Sequence, residues 1–155
     1  MRGSGEAPGP LVLEDFLPYR LSVLTNRVSR AIARQYGARF GLSIPEWRVM
    51  AVLGRFAPAS ANEVCERTAM DKVRVSRAVS RLKRSGLIDH ATDVEDRRRS
   101  VLRLSSEGWR IYRRIVPFAR ALEAELIAAL TPAERTALDK LLAKLHARAE
   151  VLDAG

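Results

Sequence analysis

The segment from Asp71 to Arg84 carries the side chains best suited to chemistry in this chain, and that chemistry is the binding of a polyanion. Wound as an α-helix at about 100° per residue, it places an apolar stripe on one side, formed by Val75, Ala78, Val79 and Leu82. The opposite face is rich in cations and hydroxyls and consists of Val73, Arg74, Ser76, Arg77, Ser80, Arg81, Lys83 and Arg84. Such side chains can bind phosphates, guanine edges and a thymine methyl group. An ordinary solvated basic helix would show the same pattern, so the segment alone leaves both interpretations open.

The positive charge of the chain is concentrated around this segment. The whole chain has 27 Lys and Arg residues against 18 Asp and Glu residues, a net charge of +9. Thirteen basic and five acidic residues lie between Lys72 and Arg114, so this block alone carries +8. A cationic block inside an ordered region favours a polyanion as partner, either nucleic acid or an anionic membrane surface.

Several kinds of chemistry lack the residues they need. The single cysteine, Cys65, excludes an internal disulfide, and with only His90 and His146 no zinc cluster of cysteines and histidines can form. We expect Cys65 to be a buried structural thiol rather than a redox sensor. There is no glycine-rich phosphate loop and no histidine paired with a nucleophile, so we predict no catalytic residue, no metal, no cofactor and no enzyme activity.

The length of 155 residues corresponds to one domain or two closely joined lobes. The composition, 47% apolar and 29% charged, is that of a soluble globular protein. The stretch MRGSGEAPGP at residues 1–10 has no apolar core, so we interpret it as a disordered tail rather than a secretory signal. No apolar run approaches the length of a membrane span. We expect a cytoplasmic protein with no membrane partner.

Local signals predict the helices that position the basic segment. Ser43 with Glu46 and Ser60 with Glu63 have the spacing of capping boxes, in which each side chain satisfies a free backbone N–H of the helix start. The first box opens a helix that Pro58 ends, and the second opens a short helix ending near residues 67–68. The basic helix follows three or four residues later and stops before Gly86. Two short helices joined by a tight turn form a helix-turn-helix arrangement.

A β-hairpin is expected directly after the basic helix. Short extended runs at 87–88 and 101–104 flank a polar, turn-rich stretch that contains Arg97, Arg98 and Arg99. This hairpin would form a wing, and the arginines would either project towards a minor groove or pair with Asp93, Glu95 and Asp96. We expect both in part, with Asp96 pairing with one arginine while another projects.

Amphipathic helices flank this region on both sides. One extends from Val12 to about Ala38, and another runs from Glu107 to about Leu130 and is interrupted or bent at Pro117. A third capping box, Thr131 with Glu134, opens a last helix. Their leucines would form either internal core or a two-fold dimer interface, which we favour, made by Leu17, Leu126, Leu130, Leu138, Leu142 and Leu145. The predicted organisation is a tail at 1–10, dimerisation helices at 11–42 and 107–155, and a DNA-binding domain at 43–106.

Three stretches resemble the MarR (multiple antibiotic resistance regulator) family of bacterial transcription factors: PEWRVMAVL, VSRAVSRLKRSGLI and DVEDRRRSVLRLSSEG. The resemblance extends from about Phe16 to Leu145. It implies a mainly α fold with a small β wing, that is, a winged helix-turn-helix whose N- and C-terminal helices form a dimerisation lobe. His90 stands where an arginine is usual, and Ser105 replaces the common threonine after the wing.

The resemblance also implies how such a homodimer would bind double-stranded DNA at a pseudo-palindromic operator. Asp96 and Arg98 match the family's Asp-x-Arg wing motif, with Asp96 anchoring the wing and Arg98 in the minor groove. The predicted major-groove contacts are Arg74, Ser76, Arg77, Ser80 and Arg81. The predicted phosphate contacts are Lys72, Arg97 and Arg99. Sequence-independent architectural binding, or binding to an anionic surface, is the alternative.

Members of this family commonly respond to small aromatic or anionic ligands. The stretch DFLPYRLSVLTNRVSR resembles regulators of aromatic acid breakdown, so the implied effector is an aromatic carboxylate or its CoA thioester, and its binding would release a repressor. A pocket for it would be lined by Tyr19, Arg20, Val23, Arg27, Trp47, Met50 and Trp109. The alternative is that most of these residues build the core.

Overall fold

A computed structural model of the chain describes residues 9–155, so most of the expected tail at 1–10 lies outside the described residues. The elements follow one another in the order 3-10 turn Leu13–Asp15, α1 Leu17–Phe40, α2 Ile44–Phe56, α3 Ala61–Thr68, α4 Lys72–Arg84, β1 Ile88–Thr92, β2 Ser100–Leu104, α5 Ser106–Ile127 and α6 Pro132–Asp153. The chain divides into two compact units, one up to Tyr112 and one at Arg113–Gly155. The predicted division into dimerisation helices and a DNA-binding domain stays a prediction.

All three predicted capping boxes are present. In the first, the Ser43 hydroxyl accepts from the Glu46 backbone N–H at 3.4 Å, and Oε2 of Glu46 accepts from the Ser43 N–H at 3.1 Å. The boxes that open α3 and α6 have the same reciprocal bonds. These local bonds satisfy backbone donors that a helix leaves free at its N-terminus, which explains why α2, α3 and α6 begin where they do.

The turn between α3 and α4 brings the basic helix into position. Ala69 has a φ of +52°, a left-handed conformation that is uncommon outside glycine. The buried side chain of Met70 follows, and then the Asp71 carboxylate caps α4 by accepting from the Arg74 N–H at 2.8 Å. Gly86, with a φ of +70°, follows the end of α4, as the sequence predicted. The two helices and their turn form the expected helix-turn-helix.

The apolar stripe of α4 is buried as predicted. Val75, Ala78, Val79 and Leu82 are the buried residues of this helix, which packs against α2 and α3. The core of this unit also contains Val49, Met50 and Leu53 of α2, all completely buried. Cys65 is half-buried, so the expectation of a buried thiol was wrong in degree. The packing fixes the opposite, basic face of α4 on the surface.

The wing is an antiparallel hairpin, with β1 and β2 paired from Ile88 opposite Leu104 to Thr92 opposite Ser100. The first strand is longer than expected, because His90, Ala91 and Thr92 belong to β1 and not to the loop. Ala59 exchanges two backbone hydrogen bonds with Leu102, at 3.2 and 2.8 Å, and so adds a one-residue third strand. No sequence signal predicts this contact, because a single residue after a proline has no periodicity.

Ser105 caps α5, and its hydroxyl accepts from the Gly108 N–H at 3.0 Å while it donates to the Gly86 carbonyl at 2.6 Å. Of the two outcomes expected at Pro117, the interruption was wrong, since α5 continues through it, and the bend stays a prediction. The helix ends at Ile127, three residues before the predicted Leu130. No helix in the described part of the chain is long and apolar enough to cross a membrane.

The leucines predicted for dimerisation are largely outside the core of the single chain. Leu17 of α1 is exposed, and so are Leu126 of α5 and the α6 residues Leu138, Leu142 and Leu145, whereas Leu130 is half-buried. Their role in dimerisation stays a prediction.

Candidate nucleic-acid interface

The outward face of α4 presents every side chain that the sequence assigned to the major groove. Arg74, Ser76, Arg77, Ser80 and Arg81 are all exposed, and so are Val73 and Lys72. Among residues 9–155, no carboxylate lies within 4.0 Å of the charged groups of Lys72, Arg74 or Arg77. These three cations are therefore available to an external anion without breaking an ion pair.

Arg81 has a partner within the chain, which the sequence analysis did not predict. Its Nη1 lies 3.5 Å from Oε1 of Glu46, a glutamate of α2 that is only 7% exposed. The other oxygen of Glu46 accepts from the Ser43 N–H in the capping box. The carboxylate thus links the start of α2 to the last turn of α4, while the Arg81 side chain remains mostly exposed. Arg81 can help to orient α4 and still reach an external group.

Asp96 shapes the wing loop through the backbone. Its Oδ1 accepts from the Arg98 N–H at 3.0 Å, and its carbonyl accepts from the Arg99 N–H at 2.9 Å. The Asp93 N–H also donates to the Arg99 carbonyl at 2.9 Å and closes the loop. The expectation that Asp96 would form an ion pair with an arginine side chain was wrong. It anchors the loop by turn-type bonds instead.

The arginine that does pair with carboxylates is Arg99. Its Nη2 lies 2.5 Å from Oε2 of Glu63 at the start of α3, and its Nη1 lies 4.0 Å from the Asp93 carboxylate. Hydrogen bonding from Arg99, and then from the Ser60 N–H, lowers the pKa of Glu63. By contrast, no carboxylate of the described residues lies within 4.0 Å of the exposed guanidinium groups of Arg97 and Arg98.

The residues predicted to line an effector pocket differ widely in exposure. Tyr19, Arg20 and Arg27 are exposed, Val23, Trp47 and Trp109 are half-buried, and Met50 is completely buried. For Met50 this burial fits the core alternative. A depression of about 640 Å³ contains Arg27 and is otherwise lined by Arg30, Ala33 and Arg34, which the sequence analysis did not select.

An aromatic cluster connects two of the predicted pocket residues. Trp47 and Tyr112 are stacked with ring centroids 5.8 Å apart, and Trp109 meets Tyr112 edge-on at 5.4 Å. Tyr36 lies 5.6 Å from Trp47, and burial raises the pKa of its phenol. Sequence reasoning missed Tyr36: its spacing of four residues from Phe40 indicates a ring pair within α1, but not the contact with Trp47 of α2.

Comparison with known proteins identifies a family with a similar sequence in this region of the chain. A model described as the MarR family matches residues 40–99, from the end of α1 to the wing loop. The HTH-type transcriptional repressor IacR of Pseudomonas putida is 27% identical over 139 residues, which are 90% of this chain and 83% of the repressor.

Two solved structures extend the similarity to the fold. The MarR/EmrR family transcriptional regulator from Acinetobacter sp. ADP1 has a TM-score of 0.85 at 26% identity, covering 90% of this chain and 99% of that one. Bordetella bronchiseptica BpsR, whose DNA binding is regulated by 6-hydroxynicotinic acid, has a TM-score of 0.77 at 28% identity, covering 89% and 98%. Members of the family are transcriptional regulators and not enzymes. The chain therefore belongs to the MarR family of winged helix-turn-helix transcriptional regulators.

Proposed function

We propose that this chain is a sequence-specific transcriptional repressor that binds a pseudo-palindromic operator as a homodimer. The observation that carries the proposal is the outward face of α4. There, Lys72, Arg74 and Arg77 are exposed and have no carboxylate partner among residues 9–155, while the opposite face is buried. A rigid helix with one buried face and one row of available cations suits insertion into the major groove. The relative IacR is itself a repressor, which supports the same direction of control.

The proposed contacts divide by chemistry. Arg77 lies at the centre of the outward face, where a guanidinium can bind the O6 and N7 atoms of guanine together. Arg74, Ser76, Ser80 and Arg81 would contact neighbouring base edges or phosphates, and Arg98 would enter the minor groove.

Homodimer formation would place two copies of α4 on successive turns of the duplex. Half-sites for such a pair lie about 34–36 Å apart, one helical turn of DNA. The exposed leucines of α1, α5 and α6 support a second copy as the partner, since apolar side chains at this density are uncommon on a surface that remains in water. A two-fold interface would bury the same residues on both subunits.

The proposed effector is a small aromatic acid or its CoA thioester. Helix α1 contains five arginines and no acidic residue, so it offers several cations to an anionic ligand. The regulation of BpsR by 6-hydroxynicotinic acid, an aromatic carboxylate, supports this class. The ligand would act by preferring a dimer geometry in which the two reading helices no longer fit the half-site spacing, because equal affinity for both geometries would change nothing.

Footprinting of the protein on DNA that flanks its own gene tests the proposal. We expect one protected region with two-fold sequence symmetry, and a specific affinity at least about 1,000-fold above that for random duplex. Equal affinity for the flanking DNA and for random duplex would overturn it. Titration with aromatic acids and their CoA thioesters tests the effector, and unchanged DNA affinity with all of them would remove that part of the proposal.

A further inference from the structure

The base of the wing loop is tied to α3 by one ion pair. The Arg99 guanidinium lies 2.5 Å from Glu63 and 3.5 Å from the Ser60 hydroxyl, although the two segments are 39 residues apart between Ser60 and Arg99. Glu63 is held from its own side as well, because its Oε2 also accepts from the Ser60 N–H at 2.7 Å. The carboxylate is therefore oriented before Arg99 binds it, which reduces the entropy lost in forming the pair.

Arg99 is also where the loop closes. Its carbonyl accepts from the Asp93 N–H, and its own N–H donates to the Asp96 carbonyl, both at 2.9 Å. The preceding residue, Arg98, donates its backbone N–H to the Asp96 carboxylate. Fixing the Arg99 side chain on α3 therefore fixes a short closed loop whose other arginines, Arg97 and Arg98, have no carboxylate partner in the described part of the chain.

We infer that Arg99 is a positioning residue for the wing and not a phosphate contact: its ion pair with Glu63 sets where Arg98 lies relative to the helix-turn-helix. This inference depends on the proposed minor-groove contact of Arg98. A wing that is fixed relative to α3 places Arg98 at one depth and one position along the minor groove. A wing without the pair samples several positions, so Arg98 discriminates less well between narrow A·T-rich and wider grooves.

The Arg99–Glu63 ion pair predicts an effect of removing Glu63 on DNA binding that differs from the one expected from charge repulsion alone. Removing an acidic residue next to a DNA-binding surface should strengthen binding to every duplex, because it removes repulsion from phosphates. If Glu63 instead acts through Arg99, the variant Glu63→Gln should lose discrimination at the wing position. Glutamine keeps the capping box, so α3 retains its N-terminal bonds in this variant.

The experiment measures affinity for two operator duplexes over a range of salt concentrations. The duplexes differ only at the minor-groove positions flanking the half-sites, where A·T pairs in one are G·C pairs in the other and so carry the guanine amino group. For Arg99→Gln and for Glu63→Gln we expect the ratio of the two affinities to fall about two- to fivefold, the range that an exposed ion pair can supply. The double variant should fall no further than either single one.

The salt dependence separates positioning from phosphate binding. Arg99→Gln should leave the slope of log affinity against log salt unchanged, whereas the matched variant Arg97→Ala should reduce it by about 0.9 per subunit. A reduced slope with an unchanged ratio for Arg99→Gln would make Arg99 a phosphate contact and overturn the inference. Tighter binding of Glu63→Gln to both duplexes at an unchanged ratio would overturn it as well.

Arg98→Ala identifies which proposal has failed. If this variant abolishes the preference for A·T pairs while Arg99→Gln keeps it, the positioning role is wrong and the minor-groove contact stands. If Arg98→Ala also keeps the preference, the proposed minor-groove contact itself is wrong, and the role of Arg99 fails with it.

Discussion

Replacing Arg77 by alanine is the most direct test of how α4 binds DNA. The side chain is exposed, and no carboxylate of residues 9–155 lies within 4.0 Å of it. Its removal therefore breaks no ion pair within the chain. Alanine is also a good helix former, so the free energy of unfolding should change by no more than about 0.5 kcal/mol.

The effect on DNA binding should be much larger than the effect on folding. One bidentate contact between arginine and guanine contributes about 1–3 kcal/mol of discrimination. A homodimer would lose the contact in both half-sites, so operator affinity should fall by about 2–6 kcal/mol, or roughly 30-fold to 10⁴-fold. Binding to random duplex should fall far less, because only one charge per subunit is lost there.

Fluorescence anisotropy on the operator and on a random duplex of equal length measures both effects at one salt concentration. Lys72→Ala is the matched control, because Lys72 is also exposed on the same helix but is expected to contact a phosphate. That variant should weaken binding to both duplexes by the same factor. If Arg77→Ala also weakens both equally, or weakens neither, Arg77 does not read a base and the assignment of α4 to the groove is wrong.

Three further predictions concern stability and the two buried or paired glutamates. Gly108→Ala should lower the free energy of unfolding by about 3 kcal/mol or more, because the added Cβ would lie 2.0 Å from the Leu87 carbonyl oxygen. Gly37 lies within α1 with nothing near an added Cβ, so Gly37→Ala should raise the free energy of unfolding by about 0.5–1 kcal/mol. Chemical denaturation measures both glycine variants, and equal effects of the two would contradict this reasoning. Since the pKa of Glu63 is lowered, its stabilising contribution is present at neutral pH and is lost as the pH falls through that pKa. The stability difference between wild type and Glu63→Gln, small for so exposed a pair, should therefore shrink as the pH falls through that pKa and disappear below it, and a difference that grows on acidification would refute the sign. Glu46→Gln keeps the capping box of α2 but removes the ion pair with Arg81, which then becomes available to phosphates. Binding of this variant to random duplex should therefore be tighter and depend more steeply on salt concentration, as measured by fluorescence anisotropy.

The sequence predicted those parts of the fold that depend on neighbouring residues. The buried stripe of α4 follows from a spacing of three and four residues, and the capping boxes follow from a serine or threonine three residues before a glutamate. The contact between Ala59 and Leu102 and the place of Tyr36 in the aromatic cluster depend on segments that are distant along the chain. No local periodicity reports such contacts, so they appeared only in the structure.

Two ion pairs of the interface connect capping boxes, which form between neighbouring residues, to arginines that are distant along the chain. Glu46 and Glu63 each occupy the third position of a helix, where capping turns the carboxylate back towards the helix start. Each then accepts an arginine from a later element, Arg81 of α4 in one case and Arg99 at the end of the wing loop in the other. A capping carboxylate has a second set of lone pairs free, and its orientation is already fixed by the backbone bond. The capping boxes of α2 and α3 therefore do more than start two helices: they fix the carboxylates that orient one arginine on each of the two elements proposed to contact DNA.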